Sequence, residues 1–247
     1  MNRYDLRPTA QTDARVGARA RIDEGLRSYM LRVYNYMALG VAWTAIVTLF
    51  LGLNPPLMLT LATGIGMWVV FFALLALGWF APRLIFSGNA ATAWLAYFAY
   101  ATLWGVLISP MVFFYLSMNP AIVVRALLIT AITFGATSLA GYVTKKDLSG
   151  FSGFFFMASI GLLIAIVVNA IFFQSTMASL ITSILVVLLF AGVTAWETQT
   201  IKQMYVEGDL PEMARSKAIF GAFALYGSFV TLFIHILNIL GIMSSDD

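Results

Sequence analysis

The chain has no cysteine in 247 residues and a single histidine. Disulfides, thiolate metal sites and cysteine nucleophiles are therefore excluded, and one imidazole cannot supply a multi-histidine metal cage. Charge is scarce as well: Asp, Glu, Lys and Arg make up 10% of the sequence, against about a quarter in ordinary globular chains. It is also unevenly spread. None of these four residue types occurs between Arg32 and Arg83, or between Asp147 and Glu197. Each run is long enough for two helices of the ~20 apolar residues that cross a bilayer. Neither run alternates polar with apolar residues, as barrel strands must. The net charge of +3 is carried by the connections. No basic patch interleaved with aromatics, of the kind that grips single-stranded nucleic acid, lies outside the lipid-length segments. What is abundant is apolar surface: 61% hydrophobic residues and a mean hydropathy of +0.91. The sequence predicts an all-α polytopic membrane protein. Its first partner is the lipid bilayer; no nucleic acid, cofactor or bound metal is expected.

Residues 1–28 read as a polar tail in which arginines alternate with Asp5, Asp13, Asp23 and Glu24. A secretory signal would need a short apolar core, and a transit peptide would avoid acids; neither fits. Seven transmembrane helices are predicted at about 29–52, 57–80, 90–117, 120–143, 151–173, 178–205 and 217–242, within a membrane domain of 29–242. A short acidic tail, 243–247, follows. Prolines supply the punctuation. Asn54-Pro55-Pro56 closes the first span and Ala81-Pro82-Arg83 breaks the second. Ser109-Pro110 interrupts the third, where the proline frees a backbone carbonyl and kinks the helix. Gly64, Gly66 and Gly78 mark the second span as one that neighbours approach closely. Asp147, or Ser149 in competition with it, caps the fifth helix. With the N-terminus cytoplasmic, all but one of the 14 basic residues face the cytoplasm, as the positive-inside rule requires. Arg125 is the exception, placed where it can snorkel to headgroups. Seven spans then put the C-terminus outside.

The chemistry concentrates in the last two spans. The sixth is apolar from Leu180 to Ala191, yet Glu197 follows before it ends. The seventh is free of charge from Ala218 to Gly241 and carries Ser228, Thr231, His235 and Asn238. Spacings of 3, 4 and 3 put these four on one side of a helix. A carboxylate at mid-membrane costs roughly 2.5–3.5 kcal/mol, less near an interface, and desolvation favours the neutral acid. Counting rises of ~1.5 Å per residue from Lys202 and from Lys217 leaves Glu197 and Ser228 offset by one or two turns. A deeper lysine or a tilted helix would close that offset. His235 reads either as a packing residue or as part of an ion or proton route. Thr130, Thr133 and Thr137 form a second stripe on the fourth helix. They read as groups that bond their own backbone or hold neighbouring helices together. Asn169 sits near the outer end of the fifth.

Three segments together resemble the Bax inhibitor family. Phe134-Gly-Ala-Thr-Ser-Leu-Ala-Gly-Tyr-Val-Thr-Lys-Lys-Asp-Leu-Ser-Gly150 is similar to the end of that family's fourth helix and its loop. Ala191-Gly-Val-Thr-Ala-Trp-Glu-Thr-Gln-Thr-Ile-Lys202 looks like the sixth-helix motif, and the run from Ala224 to Gly241 like the seventh helix. The likeness runs from about residue 29 to the end and is nearest the bacterial, YccA-like branch, which implies an inner-membrane location. The resemblance implies seven helices with the seventh near the bundle centre. It also implies a proton-sensitive calcium leak, in which aspartates on helices six and seven share a proton and hold the pore shut. Eukaryotic relatives are linked to suppression of cell death, bacterial ones to restraint of an ATP-dependent membrane protease. Two positions depart from the pattern: Glu197 stands at the sixth-helix aspartate and Ser228, which cannot ionise, at the seventh. The basic residue that some relatives carry on the second helix is absent from 57–80.

Two functions of different class follow. The first is a passive or proton-modulated cation pathway, calcium being the expected ion, with Glu197 as titrating gate and Ser228, Thr231 and His235 lining the route. One carboxylate with hydroxyls binds calcium weakly, as a leak requires. The second is a non-conducting regulator that docks on an ATP-dependent membrane protease through its N-terminal tail. Catalysis is not expected. An intramembrane aspartyl protease needs two acids, and Ser228 with His235 on one helix are about 10.5 Å apart along the axis.

Overall fold

In the computed structural model the backbone is described for residues 7–245 and the side chains for residues 24–244; the polar tail of 1–28 and the acidic tail of 243–247 fall partly outside these. Eight α-helices occur among the described residues: α1 (Arg7–Gly52), α2 (Pro55–Ala62), α3 (Gly64–Ile85), α4 (Ala90–Met118), α5 (Pro120–Val143), α6 (Ser152–Val168), α7 (Thr176–Gln203) and α8 (Pro211–Ser245). Seven are long and apolar enough to cross a bilayer, counting α6 together with its flanking turns; α2 is not. No strand occurs among the described residues. The protein is an all-α polytopic membrane protein.

The exposed side chains are those that lipid would wet. Leu, Ile, Phe and Trp residues such as Ile46, Phe72, Trp79, Ile132 and Leu188 lie on the outer surface, with Trp79 76% exposed. A helix bundle in water would hide them. The core forms around α8, which packs on α1, α3, α4, α5 and α7. Its most apolar 18-residue stretch is 61% buried, whereas the corresponding stretch of the α6 segment has no buried residue. The seventh span therefore occupies the bundle centre, as expected, and α6 sits outside, packed against α7.

Most boundaries fall close to the predicted ones, α5 coinciding with its predicted span at both ends. Asn119 accounts for one end, because its side chain accepts from the Ala121 N–H and Pro120 needs no donor at N1. The second span differs. It is not one helix over 57–80 but α2 and α3, separated at Thr63. Thr63 is extended and Gly64 takes φ +55°, a conformation without steric cost only for glycine. Pro82, expected to end the span, instead lies within α3, which continues to Ile85. Pro110 likewise lies inside a continuous α4. The carbonyl of Val106 that the proline leaves without an N–H receives the Ser109 hydroxyl at 2.7 Å. The break repairs itself locally.

Candidate functional site

Helices α7 and α8 run antiparallel, joined by residues 204–210, and their seam carries the predicted polar residues. The Ser228 hydroxyl donates to Glu197 Oε2 at 2.6 Å. The offset expected from the lysine depths is absent, for a visible reason. Lys202 does not sit at the level of Lys217. Its ammonium is drawn onto the C-terminal turn of α5, where Nζ donates to the Tyr142 carbonyl at 2.9 Å and lies 4.8 Å from the Tyr142 ring centroid. A cation at a helix C-terminus satisfies carbonyls that have no partner in their own helix. Lys217 pairs instead with Asp209 in the α7–α8 connection, at 2.6 Å. Two lysines held at different depths make a poor ruler.

Glu197 is partly buried and Ser228 is 2% exposed. Lys217–Asp209 is the one ion pair among the described residues, so no cation sits against the Glu197 carboxylate. Glu197 has neighbours in sequence that fix its helix. Thr198 donates to the Thr194 carbonyl at 2.8 Å and accepts from Ser138 of α5 at 2.9 Å, and Ser138 in turn accepts from the Tyr34 hydroxyl of α1 at 2.6 Å. Since the Thr198 proton is committed to Thr194, the chain of donors runs from Tyr34 inward. Gln199 spans the α5–α6 loop, accepting from the Leu148 N–H and donating to the Lys146 carbonyl, both at 2.8 Å. At Gly141 a Cβ would collide with the Ala195 carbonyl, so glycine permits the close approach of α5 to α7 that these bonds need.

The stripe on α8 does not form one site. Thr231 donates to the Gly227 carbonyl of its own helix at 2.8 Å. His235 Nδ1 and the Ser183 hydroxyl of α7 are 3.0 Å apart, and Asn238 Nδ2 donates to Ser183 at 2.9 Å and to Ser179 at 2.8 Å. This outer group borders a cavity of about 560 Å³ between α6, α7 and α8, lined also by Thr182, Asn169 and Gln174. Asn169, predicted near the end of the fifth span, ties the α6–α7 turn by accepting from the Ser175 N–H and donating to its carbonyl. Glu197 is not part of the cavity lining. Among the described residues no three His, Cys, Asp or Glu side chains converge as metal ligands would.

Two groups near the inner pair were not singled out in the sequence. Tyr100 of α4 approaches α8 beside Ser228, its hydroxyl 3.6 Å from where a Cβ at Gly227 would stand. Its ring meets Phe223 at 4.5 Å. Tyr226, two residues before Ser228 on α8, is fully buried and shares a 2.6 Å hydrogen bond with Thr44 of α1. The signal available was the aromatic density of the third span from Trp94 to Trp104, which marks a wall without naming what it faces. Thr130 and Thr137 bond carbonyls of their own helix. Asp147 accepts from the Ser149 N–H at 2.9 Å ahead of a short 3₁₀ turn, and that bond lowers its carboxyl below the usual aspartate value.

Seven apolar helices with the seventh at their centre, and an acid facing a hydroxyl across the last hairpin, define a polytopic membrane protein. The family described as Inhibitor of apoptosis-promoting Bax1 matches residues 26–245, and the chain belongs to it. Uncharacterized protein RP147 of Rickettsia prowazekii is 37% identical over 220 residues, covering 89% of this chain and 91% of its own. Inner membrane protein YbhL of Escherichia coli K12 is 33% identical over 220 residues, 88% of this chain and 92% of its own. With seven apolar helices and such relatives, the chain is an integral protein of a bacterial inner membrane.

Proposed function

We propose that the protein is a proton-modulated cation leak, most readily for calcium, gated at the Glu197–Ser228 contact, with its N-terminus in the cytoplasm and its C-terminus outside. The observation that carries this reading is the 2.6 Å hydrogen bond from Ser228 to Glu197, which joins α7 to α8 without any countercharge. An ionised carboxylate accepts that bond; a protonated one has a proton of its own to place and holds the serine less firmly. Protonation thus loosens the seam between the central helix and its partner. Deprotonation tightens it. His235 and the outer cavity supply the other end of the route, and Thr231 lies between them.

The test uses purified protein in calcium-loaded vesicles at two pH values. Flux is expected to be greater at the lower pH in the wild type and the same at both in Glu197→Gln, which cannot change charge. An identical pH response in the two proteins removes Glu197 as the gate. A second reading, a non-conducting regulator of an ATP-dependent membrane protease, is favoured by α1 itself, since residues 7–23 continue that helix beyond its spanning part. Co-purification with and without residues 1–23 separates the two. Protease retained by the full chain, lost on truncation and unaffected by Glu197→Gln, with no flux, supports the regulator.

A further inference from the structure

A second cavity, of about 580 Å³, opens on the lipid-facing side between the start of the membrane-spanning part of α1 and the end of α5. Both helices pack on α8 but barely on each other. The one polar tie across the gap is the Tyr34–Ser138 hydrogen bond, which forms the groove floor. Met30, Leu31, Phe134 and Leu139 make its walls apolar, and Arg27 stands at its mouth. Arg27 is exposed and takes part in no ion pair among the described residues. From Arg27 to Tyr34 the groove follows α1 for about 10 Å, into the depth that acyl chains occupy below the headgroups.

An apolar slot with Arg27 at one end, unpaired among the described residues, is complementary to an amphiphile whose head is anionic. A free phosphate would leave the slot unfilled. A zwitterionic lipid would bring its own cation to compete with the guanidinium for its phosphate. A groove of this kind between helices at the leaflet surface is a recognised form of lipid-binding site. We propose that this groove holds an anionic phospholipid from the leaflet that meets the start of the α1 span, its phosphate on Arg27 and one acyl chain between α1 and α5. The site is independent of the proposed leak, although its floor belongs to the hydroxyl chain that reaches Thr198, the neighbour of Glu197.

The test is lipid retention by the full chain in detergent, read by native mass spectrometry with dioleoyl phosphatidylglycerol and dioleoyl phosphatidylcholine at equal mole fraction. Phosphatidylglycerol should be retained about fivefold better, the advantage of one arginine near a membrane surface. Arg27→Gln should abolish that preference and Arg27→Lys should keep most of it. Gly135→Leu should reduce retention of both lipids. A side chain there projects into open space, since a Cβ at Gly135 meets nothing within 4 Å, and the fold is spared. Equal retention of the two lipids by the wild type overturns the proposal. So does a preference that survives Arg27→Gln, or retention unchanged by Gly135→Leu. Soluble glycerol phosphate that displaces the lipid at equal concentration would reduce the site to a headgroup contact and overturn it as well.

Discussion

The two polar ends of the α7–α8 seam divide what a conducting path requires. At one end Glu197 has an ionisable carboxyl bonded to a single serine and no share in the outer cavity. At the other, His235, Asn238, Ser179 and Ser183 have an open cavity and a shared hydrogen-bond network but no acid. Charge sits where there is no space, and space where there is no charge. The inner end can act as a lock because its contact is a single hydrogen bond from a buried serine, away from the outer cavity. The wet end can exchange partners freely.

Accessibility should show the largest contrast. Because the chain has no cysteine of its own, Ser179→Cys and Ser228→Cys each report one site with a water-soluble maleimide. Ser179→Cys should label at least about tenfold faster, since an opening that costs even ~1.4 kcal/mol slows Ser228→Cys by that factor. Comparable rates would abolish the distinction between the ends. Stability comes next. Ser228→Ala deprives the carboxylate of its donor and should cost about 2 kcal/mol in thermal unfolding in detergent. Ser183→Ala, beside a cavity where water can substitute, should cost no more than about 1 kcal/mol. A reversed order would mean that water already reaches Glu197. Smaller still, the double variant Ser228→Ala/Ser183→Ala should be additive within ~0.5 kcal/mol; strong coupling would make the seam one unit. Asp147 is the control away from both ends. Its carboxyl is lowered by the Ser149 bond, so its contribution is present above the unfolded value of 3.8 and fades as pH falls through the lower folded one. Asp147→Asn should therefore flatten only the acid limb of a stability curve and leave maleimide labelling unchanged.

How far the sequence could be read depended on whether a signal was local. Asn119-Pro120 places a helix start by side-chain capping and a missing donor, and α5 begins there. The separation of α2 from α3 at Thr63-Gly64 lies inside an apolar run, where a hydropathy window sees only continuity. Gly64 was visible but read as a packing glycine rather than a left-handed one. Of the four-residue stripe on α8, Ser228, His235 and Asn238 meet α7, yet a common face is not a common partner: Ser228 meets it at Glu197 and His235 at Ser183. Tyr100 escaped notice because its approach to Gly227 joins residues more than a hundred positions apart. Periodicity carries no information about which helices meet.

The central position of α8 has a consequence for how the protein is made. The axle of the bundle leaves the ribosome after α1, α4 and α5, which lean on it and are already in the membrane. Those earlier helices must wait beside one another with their inward faces unfilled until α8 emerges. A message cut short before codon 211 would leave a rim without a hub.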